Sequence, residues 1–211
     1  MSAPDHVVYV VDDDIRLREA IAELLASANV NAVVFGSAKE YLATKRLDVP
    51  SCLVLDVELP DINGLEFQRQ LAPNHAVPII FITGHGDIPS SVQAIKAGAV
   101  DFLAKPFSDS ELLGAIQVAL DLDRTAKPQR TELAQLKVRH ASLTPREREV
   151  LPLVVSGLLN KQAAAHLGIS EVTLQIHRSK VMQKMGATSL AQLVRLAARL
   201  EVPLTDRGAG R

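Results

Sequence analysis

Several features are scarce in this chain of 211 residues, and each scarcity excludes a class of protein. The single cysteine, Cys52, rules out an internal disulfide framework, and its place inside an apolar run favours a buried thiol over a redox group. No apolar run approaches the roughly 20 residues that cross a bilayer. Residues 1–6 also lack the basic and apolar regions of a signal peptide. We therefore expect a cytoplasmic protein that has no membrane partner.

The overall charge of −1 conceals two halves of opposite sign. Residues 1–125 hold 9 basic and 18 acidic side chains, whereas residues 126–211 hold 14 basic and 6 acidic ones. With 47% hydrophobic and 22% charged residues, the chain has the composition of globular domains, and its length suits two small ones. The acidic half favours metal or phosphate chemistry, and the basic half favours a polyanionic partner.

Five apolar runs in the acidic half alternate with helical patterns. Each run is short and apolar on both faces, which is typical of parallel strands covered by helices on each side. Because right-handed crossovers leave few other ways of burying such strands, we predict an α/β domain. Its core is a five-stranded doubly wound parallel sheet with the flavodoxin-like strand order 2-1-3-4-5. The predicted strands are residues 6–11, 31–35, 52–55, 77–82 and 100–104.

Acidic side chains follow the first and third predicted strands. The first strand runs into Asp12, Asp13 and Asp14, and the third runs into Asp56. Asp14 is placed to cap the following helix. In the strand order 2-1-3-4-5, strands 1 and 3 are neighbours at the switch point of the sheet, where ligands bind. We therefore expect the carboxylates of Asp12, Asp13 and Asp56 to converge.

Three converging carboxylates repel one another unless a cation joins them, and Mg²⁺ suits such a site. With the metal bound, the central Asp56 is a suitable nucleophile for a phosphoryl group and would form an acyl phosphate. Thr83 and Lys105 follow the fourth and fifth strands and can donate to the phosphoryl oxygens. Two alternatives remain: the acids are solvated turn residues, or the pocket is that of a small Mg²⁺-dependent phosphatase or phosphotransferase.

Four segments of this half, VYVVDDD, LVLDVELPDINGLE, IIFITGHGD and AGAVDFLAKPF, resemble the receiver domains of bacterial two-component response regulators in order and spacing. The resemblance implies transfer of a phosphoryl group from a histidine kinase to Asp56. It also implies that the carboxylates of Asp12, Asp13 and Asp56 and the carbonyl of Glu58 bind Mg²⁺ or Mn²⁺. Further implied features are phosphate sensing by Thr83 and Lys105, an inward rotation of Phe102 as a switch, and a cis Lys105–Pro106 peptide.

Two residues of the acidic half depart from the usual receiver pattern. Leu59 stands where methionine is usual, a change of similar volume that should leave the site intact. Glu58 adds a carboxylate two residues after Asp56, and its effect on the lifetime of the phosphate stays open.

The composition changes after the last strand and helix of the acidic half. We predict a receiver domain over residues 1–123, a linker over 124–142 and a helix-turn-helix domain over 143–211. Pro128 is expected to break the preceding helix, and a short amphipathic helix can follow it. The linker should therefore be articulated and partly helical.

The basic half reads as four helices. Thr144, Pro145 and Glu147 predict a capped helix start, although Pro152 should kink or split that helix. Asn160 is expected to cap the next helix, which ends at Gly168. A short turn then leads into a third helix over residues 171–185, as in a helix-turn-helix, and residues 190–200 add a fourth.

The third helix has one apolar face and one polar face. Leu174, Val181 and Met185 share the apolar face and should be buried. The polar face occupies the recognition position of a helix-turn-helix in a basic segment, which favours DNA binding over simple solvation. The predicted DNA-binding residues are Lys161, Arg178, Lys180 and Lys184 for phosphates, Gln175 and Ser179 for base edges, Ile176 for a thymine methyl group, and Thr173 and His177 beside them.

The motifs LTPREREVL, LGIS and TLQIHRSKVMQKM resemble the LuxR-type output domain. Together the two halves resemble response regulators of the NarL/FixJ group. The expected function is a phosphorylation-controlled transcriptional regulator, not an enzyme beyond self-phosphorylation from a phosphodonor and slow self-dephosphorylation. The expected partners are a histidine kinase, promoter DNA, RNA polymerase and, after phosphorylation, a second copy bound through Val92, Ile95 and Lys96. A regulator that binds DNA without phosphorylation is the alternative.

Overall fold

The computed structural model describes residues 4–71, 77–84 and 88–205. His85, Gly86 and Asp87 of the TGHGD motif lie outside the described residues, as do the last six positions of the predicted helix-turn-helix domain. The chain divides into two compact units, Met1–Lys127 and Pro128–Arg211. No described helix combines the length and apolar character needed to cross a membrane.

The first unit contains a five-stranded sheet of order β2-β1-β3-β4-β5, as predicted. All neighbouring strands are parallel, and Val10 of β1 lies opposite Val34 of β2 and Val54 of β3. The strands are β1 (Val7–Val11), β2 (Ala32–Phe35), β3 (Ser51–Asp56), β4 (Ile79–Thr83) and β5 (Asp101–Ala104). They alternate with the helices α1 (Ile15–Ser27), α2 (Ala38–Ala43), α3 (Gly64–Leu71), α4 (Ile88–Lys96) and α5 (Asp109–Ala141).

The central strands are buried on both faces, which explains why their sequences are continuous apolar runs. Alternate side chains enter separate core layers: Tyr9 and Leu53 pack on one side of the sheet, whereas Val10 and Cys52 pack on the other. Burial raises the pKa of the Cys52 thiol to about 12, so this group is a core thiol as expected.

Several helix starts follow their predicted caps. The Asp14 carboxylate accepts a hydrogen bond from the Arg16 N–H at 2.9 Å, and the Ser37 hydroxyl accepts one from the Glu40 N–H at 3.3 Å. These caps fix where α1 and α2 begin and therefore where the loops after β1 and β2 end.

The second unit contains α6 (Pro145–Val155), α7 (Asn160–Leu167), α8 (Glu171–Met185) and α9 (Leu190–Arg199). The predicted capping box is present, because the Thr144 N–H donates to the Glu147 carboxylate at 2.8 Å and the Glu147 N–H donates to the Thr144 hydroxyl at 3.3 Å. Gly168 adopts a left-handed conformation with φ 65° and ends α7, as predicted.

Two helix predictions, those for Pro128 and Asn160, were wrong, and the split that was one of the two outcomes expected at Pro152 does not occur. Pro128 lies inside α5 and does not break it. Because proline has no N–H, the Arg124 carbonyl loses its helical donor. Both Pro128 and Arg124 are exposed to solvent. Pro152 lies inside α6 and does not split it; its carbonyl accepts hydrogen bonds from both the N–H and the hydroxyl of Ser156. Asn160 does not cap α7: the cap position is Leu159, whose N–H donates to the Gln162 side chain at 2.9 Å.

Candidate functional site

Three carboxylates converge at the carboxyl ends of β1 and β3. Asp12 and Asp56 are 0% and 4% exposed, whereas Asp13 is exposed, and one ligand oxygen from each lies within 4.8 Å of the others. Among the described residues this is the only group of His, Cys, Asp or Glu side chains close enough to share a metal ion. The predicted convergence of the acids is therefore present.

Lys105 joins the two buried acids. Its Nζ atom lies 2.7 Å from Oδ2 of Asp12 and 2.7 Å from Oδ2 of Asp56. Burial disfavours the Lys105 ammonium, but its hydrogen bonds to the two carboxylates outweigh this effect and raise its pKa. Burial also raises the pKa of Asp12, against the opposing effect of Lys105. The Lys105 ammonium thus compensates only part of the charge of the three acids.

The second oxygen of each buried acid is held by the backbone two residues later. Oδ1 of Asp12 accepts a hydrogen bond from the Asp14 N–H at 2.8 Å, and Oδ1 of Asp56 accepts one from the Glu58 N–H at 3.0 Å. The guanidinium of Arg18 donates to the Asp12 carbonyl oxygen at 2.6 Å. The sequence reasoning missed Arg18, because nothing in its spacing links an α1 side chain to the end of β1.

The loop between β3 and α3 is narrow. Glu58 forms a β-bridge with Asn63, and the Asn63 side chain accepts a hydrogen bond from the Leu65 N–H at 2.9 Å. Gly64 passes so close to β3 that a Cβ atom on it would lie 2.4 Å from the Asp56 carbonyl oxygen. Glu58 itself is exposed at the rim of the site.

Thr83 and Lys105 end neighbouring strands, as the strand order requires. Thr83 is buried, and its carbonyl oxygen accepts a hydrogen bond from the Lys105 N–H at 2.7 Å. The Lys105–Pro106 peptide is cis, as the resemblance implied. Phe102 is half-buried, and its ring centroid lies 6.1 Å from that of Phe81. Thr83 and Lys105 therefore lie at the carboxyl ends of β4 and β5, on the same edge of the sheet as Asp12 and Asp56.

The residues predicted to form a dimer contact lie on the outer side of α4. Val92 and Ile95 are 44% and 48% exposed, and Lys96 is exposed beside them. Ala94, on the same helix, is fully buried. The part of α4 whose side chains are described, residues 91–96, therefore presents Val92, Ile95 and Lys96 to solvent.

The apolar and polar faces of α8 are as predicted. Leu174, Val181 and Met185 are fully buried. The exposed residues on the other face include Gln175, Ile176, Ser179, Lys180 and Gln183. Four of the residues predicted to bind DNA, Gln175, Ile176, Ser179 and Lys180, therefore share one solvent-facing surface.

Two of the predicted phosphate-binding cations have partners within the domain. Lys184 donates to the buried Glu147 carboxylate at 2.7 Å, and Arg178 donates to the Asn160 side-chain oxygen at 2.8 Å. Lys161 is exposed near the start of α7. The Asn160 contact went unpredicted because Asn160 was expected to cap α7, and a side chain used as a cap is unavailable to Arg178.

Two further residues of the predicted DNA-binding set lie on α8. The Thr173 hydroxyl lies 2.8 Å from the Ser170 hydroxyl at the start of the helix. His177 is half-buried, and its Nδ1 atom is buried without a hydrogen-bond partner among the described residues. His177 therefore lies between the core and the exposed face.

The comparison with known families agrees with this division of the chain. The family "Response regulator receiver domain" matches residues 8–117, which is more than half of the chain. The family "Bacterial regulatory proteins, luxR family" matches residues 141–197. The chain is a response regulator of the NarL/FixJ group.

Curated and solved relatives extend along almost all of this response regulator. It is 50% identical to nodulation protein W of Bradyrhizobium diazoefficiens over 197 residues, which is 93% of this chain and 87% of the relative. It is 40% identical to the transcriptional regulatory protein FixJ of the same organism, over 94% of this chain and 97% of the relative. The solved response regulator StyR aligns with a TM-score of 0.68 and 45% identity, over 93% of this chain and all of that one. This response regulator combines a receiver with a LuxR-type DNA-binding domain.

Proposed function

We propose that phosphorylation of Asp56 by a histidine kinase controls the binding of this response regulator to promoter DNA. The observation that carries the proposal is the environment of the Asp56 carboxylate, which is held by Lys105 and the Glu58 N–H beside two further acids. In the proposed transfer, an Asp56 oxygen attacks the phosphorus atom of a kinase phosphohistidine. The O–P bond forms as the P–N bond breaks, and the bonding electron pair returns to the imidazole.

The donor set fits a divalent cation. Three carboxylates face a single ammonium group, and all the acidic donors are hard oxygen atoms, which Mg²⁺ and Mn²⁺ prefer. The carboxylates of Asp12, Asp13 and Asp56 and the carbonyl of Glu58 would hold the ion. When bound, the ion would neutralise negative charge on the phosphoryl group during its transfer.

Lys105 and Thr83 are proposed to recognise the phosphorylated state. Lys105 already contacts Asp56, so its ammonium can donate to a phosphoryl oxygen after small rearrangement. The hydroxyl of Thr83 is the second donor, and Phe102 is proposed to rotate inward as Thr83 moves. The same pocket accounts for self-phosphorylation by small phosphodonors and slow self-dephosphorylation, without turnover of other substrates.

The phosphorylated receiver is proposed to form a homodimer through Val92, Ile95 and Lys96. Two exposed apolar side chains on one helical face support this contact. Two DNA-binding domains would then read half-sites about one helical turn, roughly 34 Å, apart. RNA polymerase is proposed as the partner at the promoter.

On α8, Gln175 and Ser179 are proposed to contact base edges, and Ile176 a thymine methyl group. Lys161, Arg178 and Lys180 are proposed to contact phosphates, with Thr173 and His177 beside them. Lys184, predicted for the same role, is proposed instead to remain paired with Glu147. The exposure of this face supports the assignment.

The test compares the wild-type protein with Asp56→Asn after treatment with a small acyl phosphate and Mg²⁺. The wild type should gain the mass of one phosphoryl group, dimerise and bind DNA more tightly. Asp56→Asn should do none of these, whereas Asp121→Asn, an exposed acid on α5, should match the wild type. Full regulation by Asp56→Asn would show a phosphorylation-independent regulator, and sustained phosphoester turnover by the wild type would show an enzyme.

A further inference from the structure

The last turns of α5 pack within the DNA-binding unit, although they precede the segment that matches the LuxR family. Leu136 is 3% exposed and belongs to the same apolar core as Val181 and Met185 of α8. Glu132 forms an ion pair with Arg199 of α9, with 2.6 Å between Oε1 and Nη1. Residues 132–142 were predicted to be part of a linker, yet Leu136 is a component of this core and Glu132 pairs with α9.

A cationic side chain from each of the helices α5 and α8 donates a hydrogen bond at the C-terminal end of the other helix. Arg139, in the last turn of α5, donates to the Met185 carbonyl oxygen at 3.5 Å. Lys184, in the last turn of α8, donates in return to the Ser142 carbonyl oxygen at 3.2 Å, just beyond α5. The last carbonyls of a helix lack helical donors and carry partial negative charge, so each cation stabilises the end of the other helix.

Gly186 gives a second sign that Arg139 covers the end of α8. Gly186 has φ 68°, the left-handed conformation that ends α8. A Cβ atom at this position would lie 2.6 Å from Nη1 of Arg139. The guanidinium therefore rests directly against the backbone of Gly186, in space that a side chain would otherwise occupy.

We infer that residues 132–141, the last turns of α5, are an additional helical part of the DNA-binding unit, and that Arg139 is a positioning residue that orients α8 toward DNA. The inference rests on the proposed DNA binding by α8. Helix α8, with 15 residues, is about 22 Å long. A tilt of α8 by about 5° about its C-terminal end would therefore displace its N-terminal end by about 2 Å. Base-edge hydrogen bonds made by Gln175 and Ser179 do not survive such a displacement, because their geometry is strict.

The experiment uses the full chain and the variants Arg139→Gln, Arg139→Lys and Lys137→Gln. Lys137 is an exposed cation two residues away on α5, so Lys137→Gln removes the same charge without touching α8. The DNA probe is a short duplex selected by the wild-type protein from a random-sequence pool. Binding is measured at one salt concentration and below the unfolding temperature of every variant, because phosphate contacts depend strongly on salt.

Arg139→Gln should weaken binding to the selected duplex by about tenfold and leave binding to an unselected duplex within about twofold, since base contacts alone are lost. Lys137→Gln should stay within about twofold on both duplexes, and Arg139→Lys should recover most of the affinity. Equal losses for Arg139→Gln and Lys137→Gln would overturn the inference, because they would mean a general charge effect. Unchanged binding by Arg139→Gln would also overturn it and leave the proposed DNA binding intact.

Amide hydrogen exchange provides a readout that needs no DNA. The N–H groups of Gly186 and Ala187 donate to Gln183 and Met182 and report on the end of α8. Their exchange should be faster in Arg139→Gln and unchanged in Lys137→Gln. If the wild type selected no DNA, the proposed function would fail, whereas unchanged exchange in Arg139→Gln would overturn only the positioning role.

Discussion

The carbonyl oxygen of Asp56 fills the space that a side chain on Gly64 would need, with 2.4 Å to an ideal Cβ position. The Gly64 N–H also donates to the Val57 carbonyl oxygen at 2.8 Å, so the start of α3 is tied to the end of β3. Any movement of Gly64 therefore reaches the candidate phosphoacceptor through the backbone.

Gly64→Ala should consequently lower both stability and phosphorylation. Relief of this clash requires a backbone shift, which costs about 1–3 kcal/mol for overpacked positions. The measurements are the urea midpoint by circular dichroism and the rate of phosphoryl incorporation from a small acyl phosphate. Gly114→Ala is the matched control: its Cβ atom meets open space on α5, so it should be neutral or stabilise by up to about 1 kcal/mol. A Gly64→Ala protein with wild-type rate and midpoint would contradict this reading.

Lys105→Met should make stability depend on divalent cations. The variant leaves the buried Asp12 and Asp56 carboxylates without their shared ammonium, at a cost of about 3 kcal/mol in the presence of a chelator. Added Mg²⁺ should raise the unfolding temperature of the variant more than that of the wild type, because no ammonium competes for the oxygens. Thermal unfolding with chelator and with Mg²⁺ measures the difference. Equal increments in both proteins would show that Lys105 does not share these oxygens with a metal.

The pairing of Glu147 with Lys184 should appear in the pH dependence of the DNA-binding unit. The hydrogen bond from Lys184 holds the pKa of Glu147 below its ordinary value of 4.5. The pair therefore stabilises the fold fully above pH 4.5, and this contribution disappears as the pH falls through the lower folded pKa. Glu147→Gln should lower stability at neutral pH and approach the wild type in acid.

Exchange of α6 and α8 amides, measured across pH in the full chain, reports this local stability. Glu149→Gln is the control, because its partner Arg146 lies at the surface and exposed ion pairs contribute about 0–1 kcal/mol. A gap between Glu147→Gln and the wild type that is constant from neutral to acid pH would contradict the assignment.

The sheet and the acid pocket were predictable because their signals are local and periodic. Apolar runs ending in Asp12 and Asp56 identify the strands, and the strand order then brings the acids together. Arg18 was not predictable, since its contact with the Asp12 carbonyl depends on how α1 crosses the end of β1. The hydrogen bond between Asn160 and Arg178 was not predictable either, because it depends on how α7 and α8 pack together.

The prediction that Pro128 breaks its helix failed for a related reason. Local preference disfavours both Pro128 and Pro152 within helices. At Pro128, both the proline and Arg124, whose carbonyl loses its helical donor, are exposed to solvent, and this exposure is a feature of the folded surroundings. The surroundings thus override the local rule at Pro128, and they are not visible in its flanking residues.

Lys180 and Lys184 lie one turn apart on α8 and should behave differently toward DNA. Lys180 is exposed, whereas Lys184 is held by the buried Glu147 carboxylate at 2.7 Å. Lys180→Gln should weaken binding to all duplexes and reduce the salt dependence by about one phosphate contact. Lys184→Gln should mainly lower stability, because it leaves the Glu147 charge buried without its partner.

Binding to a fixed duplex over a series of salt concentrations, together with thermal unfolding, separates these two roles. The slope of log affinity against log salt should change by about 0.9 for Lys180→Gln and remain at the wild-type value for Lys184→Gln. The unfolding temperature should fall for Lys184→Gln and stay constant for Lys180→Gln. A reduced slope for Lys184→Gln would mean that DNA draws Lys184 away from Glu147, so that the capping box of α6 loosens as the complex forms.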